Sequence, residues 1–238
     1  RRFYPKAKIV VYFTDLIKIN NMRFSNAPID INYLKSLSDL ILTYDPEEAC
    51  HFGLTYYPVP LSRIENISDV KEVWDVYFIG QAKNRLPLIM QTYHALSKKG
   101  LKVNFIISGV PKNNQENLPG ITYINGISLS YKENIRTVLR SKCLLEIIQK
   151  NSTGDTIRTK EALVYNKKLL TNNPLIVNAP FYNPEYICYF ENPDDINPEF
   201  IKGLAKDEVV DYHYKDQLSP LRLLEFIENH LNNEDKKK

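Results

Sequence analysis

Between Asn151 and Glu161 the chain reads NSTGDTIRTKE, and this short stretch holds most of what could do chemistry. Asn151, Ser152, Thr153, Gly154, Asp155 and Thr156 are small, turn-forming residues that lead into a helix N-terminus. Free backbone N–H groups and the helix dipole suit that position to an anion. Gly154 would let the backbone come close to a phosphate, as no residue with a Cβ could. Arg158 adds a planar cationic fork matched to a diphosphate. Glu161 lies three residues further on, on the same helix face and one turn deeper, where a carboxylate could accept both hydroxyls of a ribose. A plainer reading stands beside this one: Thr153 or Asp155 only caps the helix, and Arg158 and Glu161 pair on its exposed surface.

A second candidate is FIGQAKNR, where Gly80 closes a strand and is followed by Gln81, Asn84 and Arg85. Such a turn suits contact with a phosphate or with a donor sugar, and it would equally serve as a simple βα connection with a surface arginine. Other chemistries lack their signatures. There is no GxxxxGK[ST] loop, no GxGxxG fingerprint and no GxSxG elbow, which argues against P-loop, dinucleotide and α/β-hydrolase chemistry. His51, His94 and His230 fall in predicted helices at spacings that fit no metal motif, and an Asp-x-Asp pair is missing. No metal site is expected.

The elements that must hold these residues alternate along the chain. AKIVVYFTD (Ala7 to Asp15) reads as a strand buried on both faces, with Asp15 at its carboxyl end. A helical stretch over Ile29 to Leu37 follows, then a strand at Asp39 to Asp45. Asp45 as N-cap, Pro46 at the first position and Gly53 as a stop mark a helix, and LTYYPVP is a third strand. After a connector the pattern restarts with VWDVYFIG. It continues through RLPLIMQTYHALSKKG, KVNFIISG, GITYING, YKENIRTVLRSK, CLLEIIQ, TIRTKEALVYNKK, LLTNN and EYICYF to a last helix capped by Ser219 and opened by Pro220. Strands alternating with helices at this spacing predict an α/β protein of two Rossmann-like units. The first, residues 1–62, has too few strands for a complete sheet, and the second spans 63–238. Ligands of such sheets bind beyond the carboxyl ends of the strands, which is where both candidate groups fall.

The bulk numbers agree with a soluble globular chain. It has 238 residues, 43% apolar and 25% charged, and a net charge of +3 that is too mild to point to nucleic acid. Cys50, Cys143 and Cys188 lie in or beside apolar segments and read as buried reduced thiols of a cytosolic protein. No apolar run approaches the roughly 18 residues that span a bilayer. The chain enters its first strand almost at once and lacks an initial methionine, as a piece of something longer would.

These segments bear a resemblance. DVYFIGQAKNR, YKENIRTVLRSKCLLEIIQ, GDTIRTKEALVYNKKLLTNN and YFENPDDI, within residues 73–200, resemble the C-terminal domain of GT-B fold bacterial glycosyltransferases of surface-polysaccharide and lipopolysaccharide synthesis. Residues 1–60 look like the second half of the acceptor-side domain of that family, whose first strands and glycine loop have no counterpart here. The resemblance implies a nucleotide diphosphate sugar as donor and a glycan or lipid-linked acceptor. It implies no required divalent metal, no cofactor and no nucleic acid partner. Glu161 matches the family's ribose-binding glutamate, and Lys167-Lys168-Leu169-Leu170 matches its next strand entry. Asp15 is the candidate general base, with the turn-capping strand-end carboxylate as its plain alternative. The implied location is the cytoplasm, with peripheral contact at the inner membrane face where the acceptor is lipid-linked. A non-catalytic nucleotide-binding scaffold derived from such an enzyme is the alternative function. On this reading Glu161→Ala should weaken donor binding with little effect on folding.

Overall fold

The computed structural model describes residues 4, 6–17, 30–65, 67, 70–124, 129–149, 154–202 and 209–235. The chain divides into two compact units: residues 1–62 with 152–155 and 216–238, and residues 63–151 with 156–215.

In the first unit, β1 (Val10–Phe13), β2 (Leu40–Thr43) and β3 (Thr55–Tyr56) form a parallel sheet in that order. Val10 pairs with Leu40 and Leu42 with Thr55. Helix α1 (Ile31–Leu37) begins two residues later than its apolar pattern suggests. Asp30 caps it, accepting the Tyr33 N–H at 3.0 Å. Helix α2 (Pro46–Phe52) is built as its sequence dictates: Asp45 accepts the Glu48 N–H, Pro46 opens the helix, and Gly53 ends it at φ 58°. Cys50 on this helix is exposed, which corrects the reading of all three thiols as buried. Cys143 is buried, Cys188 is half-buried, and all three are free. The short α2 turns only one face to the sheet, and position 50 lies off it.

The second unit is a sheet of six parallel strands among the described residues. They are β4 (Trp74–Gln81), β5 (Val103–Ser108), β6 (Ile121–Ile124), β7 (Ser141–Glu146), β8 (Lys168–Thr171) and β9 (Ile187–Tyr189), in the order β6-β5-β4-β7-β8-β9. Helices α3 (Leu86–Lys98), α4 (Tyr131–Leu139), α5 (Ile157–Tyr165) and α6 (Pro198–Lys202) connect or cover them. Strand period two sorts the side chains. Val76, Phe78, Phe105, Ile107, Cys143, Leu145 and Leu170 pack with Ile89, Tyr93 and Leu96 of α3 in one cluster, whereas Tyr77 and Leu144 point the other way. Helix α4 carries a full capping box, with Ser130 and Glu133 bonding each other's backbone.

The closing helix α7 (Pro220–Asp235) groups with the first unit and not, as the sequence reading expects, with the second. Its Phe226 ring lies 4.8 Å from that of Tyr57, and Leu61 donates its N–H to the Leu218 carbonyl just before the helix at 2.8 Å. An apolar stripe shows that a helix packs but not against which sheet, so its assignment is a tertiary fact.

Gly120 is where backbone geometry is least forgiving. Its φ is +80°, and a Cβ there would land on the carbonyl oxygen of Val103. Gly120→Ala is expected to cost about 1–3 kcal/mol through overpacking against backbone that cannot yield. A thermal melt checks it, and an unchanged midpoint would refute it.

Candidate functional site

The strand order reverses between β4 and β7. From β4 the chain steps outward through β5 to β6, then crosses to β7 on the other side and continues to β8 and β9. In an open parallel sheet the crevice beyond the carboxyl ends of such a pair is the ligand site. Arg85 stands there. It follows β4 in a 3-10 turn, Lys83–Arg85, and its guanidinium donates to the Gln81 carbonyl at 2.5 Å and across to the Ile147 carbonyl. Its Nε is buried with no hydrogen-bond partner among the described residues. Burial lowers the pKa of this group, and the neighbouring Glu146 carboxylate opposes that shift. Gly80 makes room: a Cβ would lie 3.6 Å from Arg85 Nη2 and 3.1 Å from the Phe78 ring.

Across the crevice, β7 leads into α5. Asn151, Ser152 and Thr153 of the connecting loop lie outside the described residues. The cap is Thr156, not Thr153 or Asp155: its backbone is extended and its hydroxyl accepts the Arg158 N–H at 3.1 Å. Gly154 donates its N–H to Asp45 at 3.1 Å, and a Cβ on it would meet the Tyr44 ring at 2.7–2.9 Å. The small size of Gly154 is therefore required by the protein's own packing in the first unit.

Arg158 and Glu161 form an ion pair, as the plainer reading supposes, but it is buried. Glu161 is 0% exposed and Arg158 8%. Arg158 Nη2 donates to Glu161 Oε1 at 2.9 Å, and Asn134 of α4 donates to the same oxygen at 2.8 Å. The Asn134 carbonyl in turn accepts the Tyr77 hydroxyl at 3.0 Å. Burial pushes the Glu161 carboxyl up, and the Arg158 guanidinium and Asn134 amide pull it back. The pair is inside because Tyr77 and Asn134 supply a polar lining on the α4–α5 face of the sheet. Spacing within α5 cannot reveal that lining.

The two lysines at the end of this helix have structural partners. Lys167 reaches Glu72 at 2.6 Å and the Leu139 carbonyl at 3.1 Å. Lys168 donates to the Phe200 carbonyl at 2.5 Å and lies over that ring. Asp15 sits after β1, where its carboxylate accepts the Leu16 N–H at 2.9 Å.

Sequence reasoning missed Glu146, the last residue of β7, which is 0% exposed. It accepts from Thr156, Thr159 and Thr171 together. The available signal was a charged residue inside the apolar run CLLEII, a position where burial demands partners. Among the described residues no group of three or more His, Cys, Asp or Glu side chains comes together as metal ligands.

No protein-family model matches the chain, and no curated protein matches it. Likeness appears among solved structures. AviGT4, a glycosyltransferase involved in avilamycin A biosynthesis, aligns over 80% of this chain with a TM-score of 0.53 at 13% identity. The fold is that of a GT-B glycosyltransferase. The alignment covers 62% of AviGT4, so the chain spans less than two thirds of that protein's length. T4 phage β-glucosyltransferase aligns over 98% of this chain and 72% of its own at 15% identity, with a TM-score of 0.48. The fold assignment rests on the first of these. In GT-B terms the six-stranded unit is the Rossmann-like unit that carries the β4–β7 crevice.

Proposed function

We propose that the protein transfers a sugar from a nucleotide diphosphate sugar to a glycan or lipid-linked acceptor, in bacterial surface-polysaccharide synthesis. The observation that carries this reading is Arg85, a guanidinium held at the switch point of a GT-B sheet by the carbonyls of Gln81 and Ile147 at the ends of β4 and β7. Charge develops on the leaving diphosphate as the glycosidic bond breaks. Fixed donors aimed at it are commonly worth about 3–4 kcal/mol of barrier each. Arg85, the backbone at Gly80, and Asn151 and Thr153 of the loop that leads to Thr156 take the diphosphate, with no divalent metal required. Gly154 is committed to Asp45 and Tyr44. Glu161 takes the ribose hydroxyls in exchange for Arg158, whose fork turns to the phosphates, and Asp15 is the base. A lipid-linked acceptor would bring the protein to the inner membrane face. Among the described residues no helix is long and apolar enough to cross a membrane.

A second reading has its own observation. Arg158 and Glu161 are closed on each other inside the unit, which suits a scaffold that has kept the fold without turnover. Calorimetric titration of this chain with UDP, GDP, CDP, dTDP, ADP and CMP tests the first reading. One nucleoside diphosphate is expected to bind selectively. No binding by any of them would defeat the donor site, whereas binding without turnover of the matching sugar nucleotides would favour the scaffold.

A further inference from the structure

Glu146 is an unusual group to find behind an anion site. Its carboxylate is fully buried at the carboxyl end of β7, and among the described residues it accepts four hydrogen bonds. Oε1 accepts the Thr156 N–H at 3.0 Å, the Thr156 hydroxyl at 2.6 Å and the Thr159 hydroxyl at 2.8 Å. Oε2 accepts the Thr171 hydroxyl at 2.6 Å. An ionised carboxylate only accepts, and a threonine hydroxyl has one proton to give. Each of these hydroxyls must therefore point its proton at Glu146 and its lone pairs elsewhere.

Two of them use those lone pairs on backbone. Thr156 Oγ1 accepts the Arg158 N–H at 3.1 Å, which starts α5. Thr171 Oγ1 accepts the Asn173 N–H at 3.0 Å, which shapes the turn leaving β8. Asn173 then caps the 3-10 turn Pro174–Asn178 by accepting the Leu175 N–H at 3.1 Å. Its own Nδ2 is left buried without a partner among the described residues, in a side chain belonging to a residue only 1% exposed. One carboxylate thus feeds two relays. One ends at the helix N-terminus beyond β7, the other at a buried amide donor beyond β8.

We propose that Glu146 is a positioning residue for the nucleotide crevice: it fixes the polarity of the Thr156 and Thr171 hydroxyls, and through them holds the α5 N-terminus and the β8 exit turn in place for a nucleoside diphosphate. The inference rests on the reading of the β4–β7 crevice as the diphosphate site. Glutamine at position 146 keeps the shape but turns one acceptor into a donor. Three donors hold the oxygen at Oε1, so the amide nitrogen takes the place of Oε2, opposite Thr171. Thr171 must then accept where it donated, its proton loses its acceptor, and nothing any longer fixes the rotation that aims a lone pair at the Asn173 N–H. Thr159 is the internal control, because its hydroxyl bonds Glu146 but heads neither relay.

The test is calorimetric titration of the full chain with the nucleoside diphosphate that wild type binds best, on Glu146→Gln, Thr171→Val and Thr159→Val, with a thermal melt of each. All three lose some melting temperature. Glu146→Gln and Thr171→Val are expected to bind at least tenfold more weakly, and Thr159→Val as wild type does. Wild-type affinity in Glu146→Gln overturns the proposal. An equal loss in Thr159→Val overturns it too, because packing alone would then explain the effect. Should Glu146→Gln fail to fold, Thr171→Val against Thr159→Val decides on the same criterion. Absence of nucleotide binding by wild type would instead bring down the crevice reading itself, and this inference with it.

Discussion

Glu161→Ala is expected to lower the stability of the protein by about 3–5 kcal/mol, the usual cost of removing one partner of a buried ion pair. The cost arises because Arg158, 8% exposed, would keep its charge with no carboxylate beside it. Asn134 would lose the acceptor of its amide at 2.8 Å, and Tyr77 is bonded to that same asparagine. Urea unfolding followed by circular dichroism measures the effect, and a loss below about 1 kcal/mol would show that the pair is solvated. The double variant Arg158→Met, Glu161→Leu is expected to recover part of the loss, since apolar side chains of similar volume replace buried pairs at little cost, while the Asn134 amide stays without its acceptor. The expectation drawn from the sequence, that Glu161→Ala spares folding, does not fit a paired carboxylate that is 0% exposed. Any role of Glu161 toward a ribose has to be tested with Glu161→Gln, which keeps the volume and one accepting oxygen.

Arg85→Ala is expected to weaken nucleoside diphosphate binding roughly a hundredfold, about 2.7 kcal/mol, within the 2–5 kcal/mol typical of truncating one member of a desolvated charge pair. Two properties of the site support the size of this effect. The guanidinium is tied to the ends of both central strands, at Gln81 and Ile147, so its orientation is fixed before a ligand arrives. Its remaining donor, Nε, is buried and has no partner among the described residues. Arg85→Lys should recover little, because a lysine is a point charge on a flexible stem and does not reproduce the rigid planar fork that spans both carbonyls. Titration calorimetry reads both variants, and a dissociation constant within threefold of wild type in Arg85→Ala would remove Arg85 from the site.

Much of the scaffold is written locally. The caps at Asp45 and Ser130, the stop at Gly53 and the apolar runs at Val10–Phe13, Leu40–Thr43 and Trp74–Gln81 each depend on neighbours within a few residues. Such features can be read from spacing. Thr156 as the cap of α5 is a near case: three hydroxyl or carboxylate residues compete within four positions, and the bond to Glu146 selects one. Glu146 itself shows what spacing withholds. A charge in an apolar strand announces that partners exist, but Thr156, Thr159 and Thr171 come from two other elements, and only the register of β7 against β8 brings Thr171 opposite.

By itself the sequence determined an α/β chain of alternating strands and helices, with Gly80, Arg85 and the loop before Arg158 at strand ends where such sheets bind ligands. Tertiary structure alone decided the rest. It placed the strand reversal between β4 and β7, so that Arg85 stands in the crevice. It turned Arg158 and Glu161 inward onto Asn134, and it assigned the closing helix to the first unit. Periodicity and capping are set by residues adjacent along the chain. Burial, charge pairing and strand order are set by which distant segments share a face, and one chain's spacing carries no record of that.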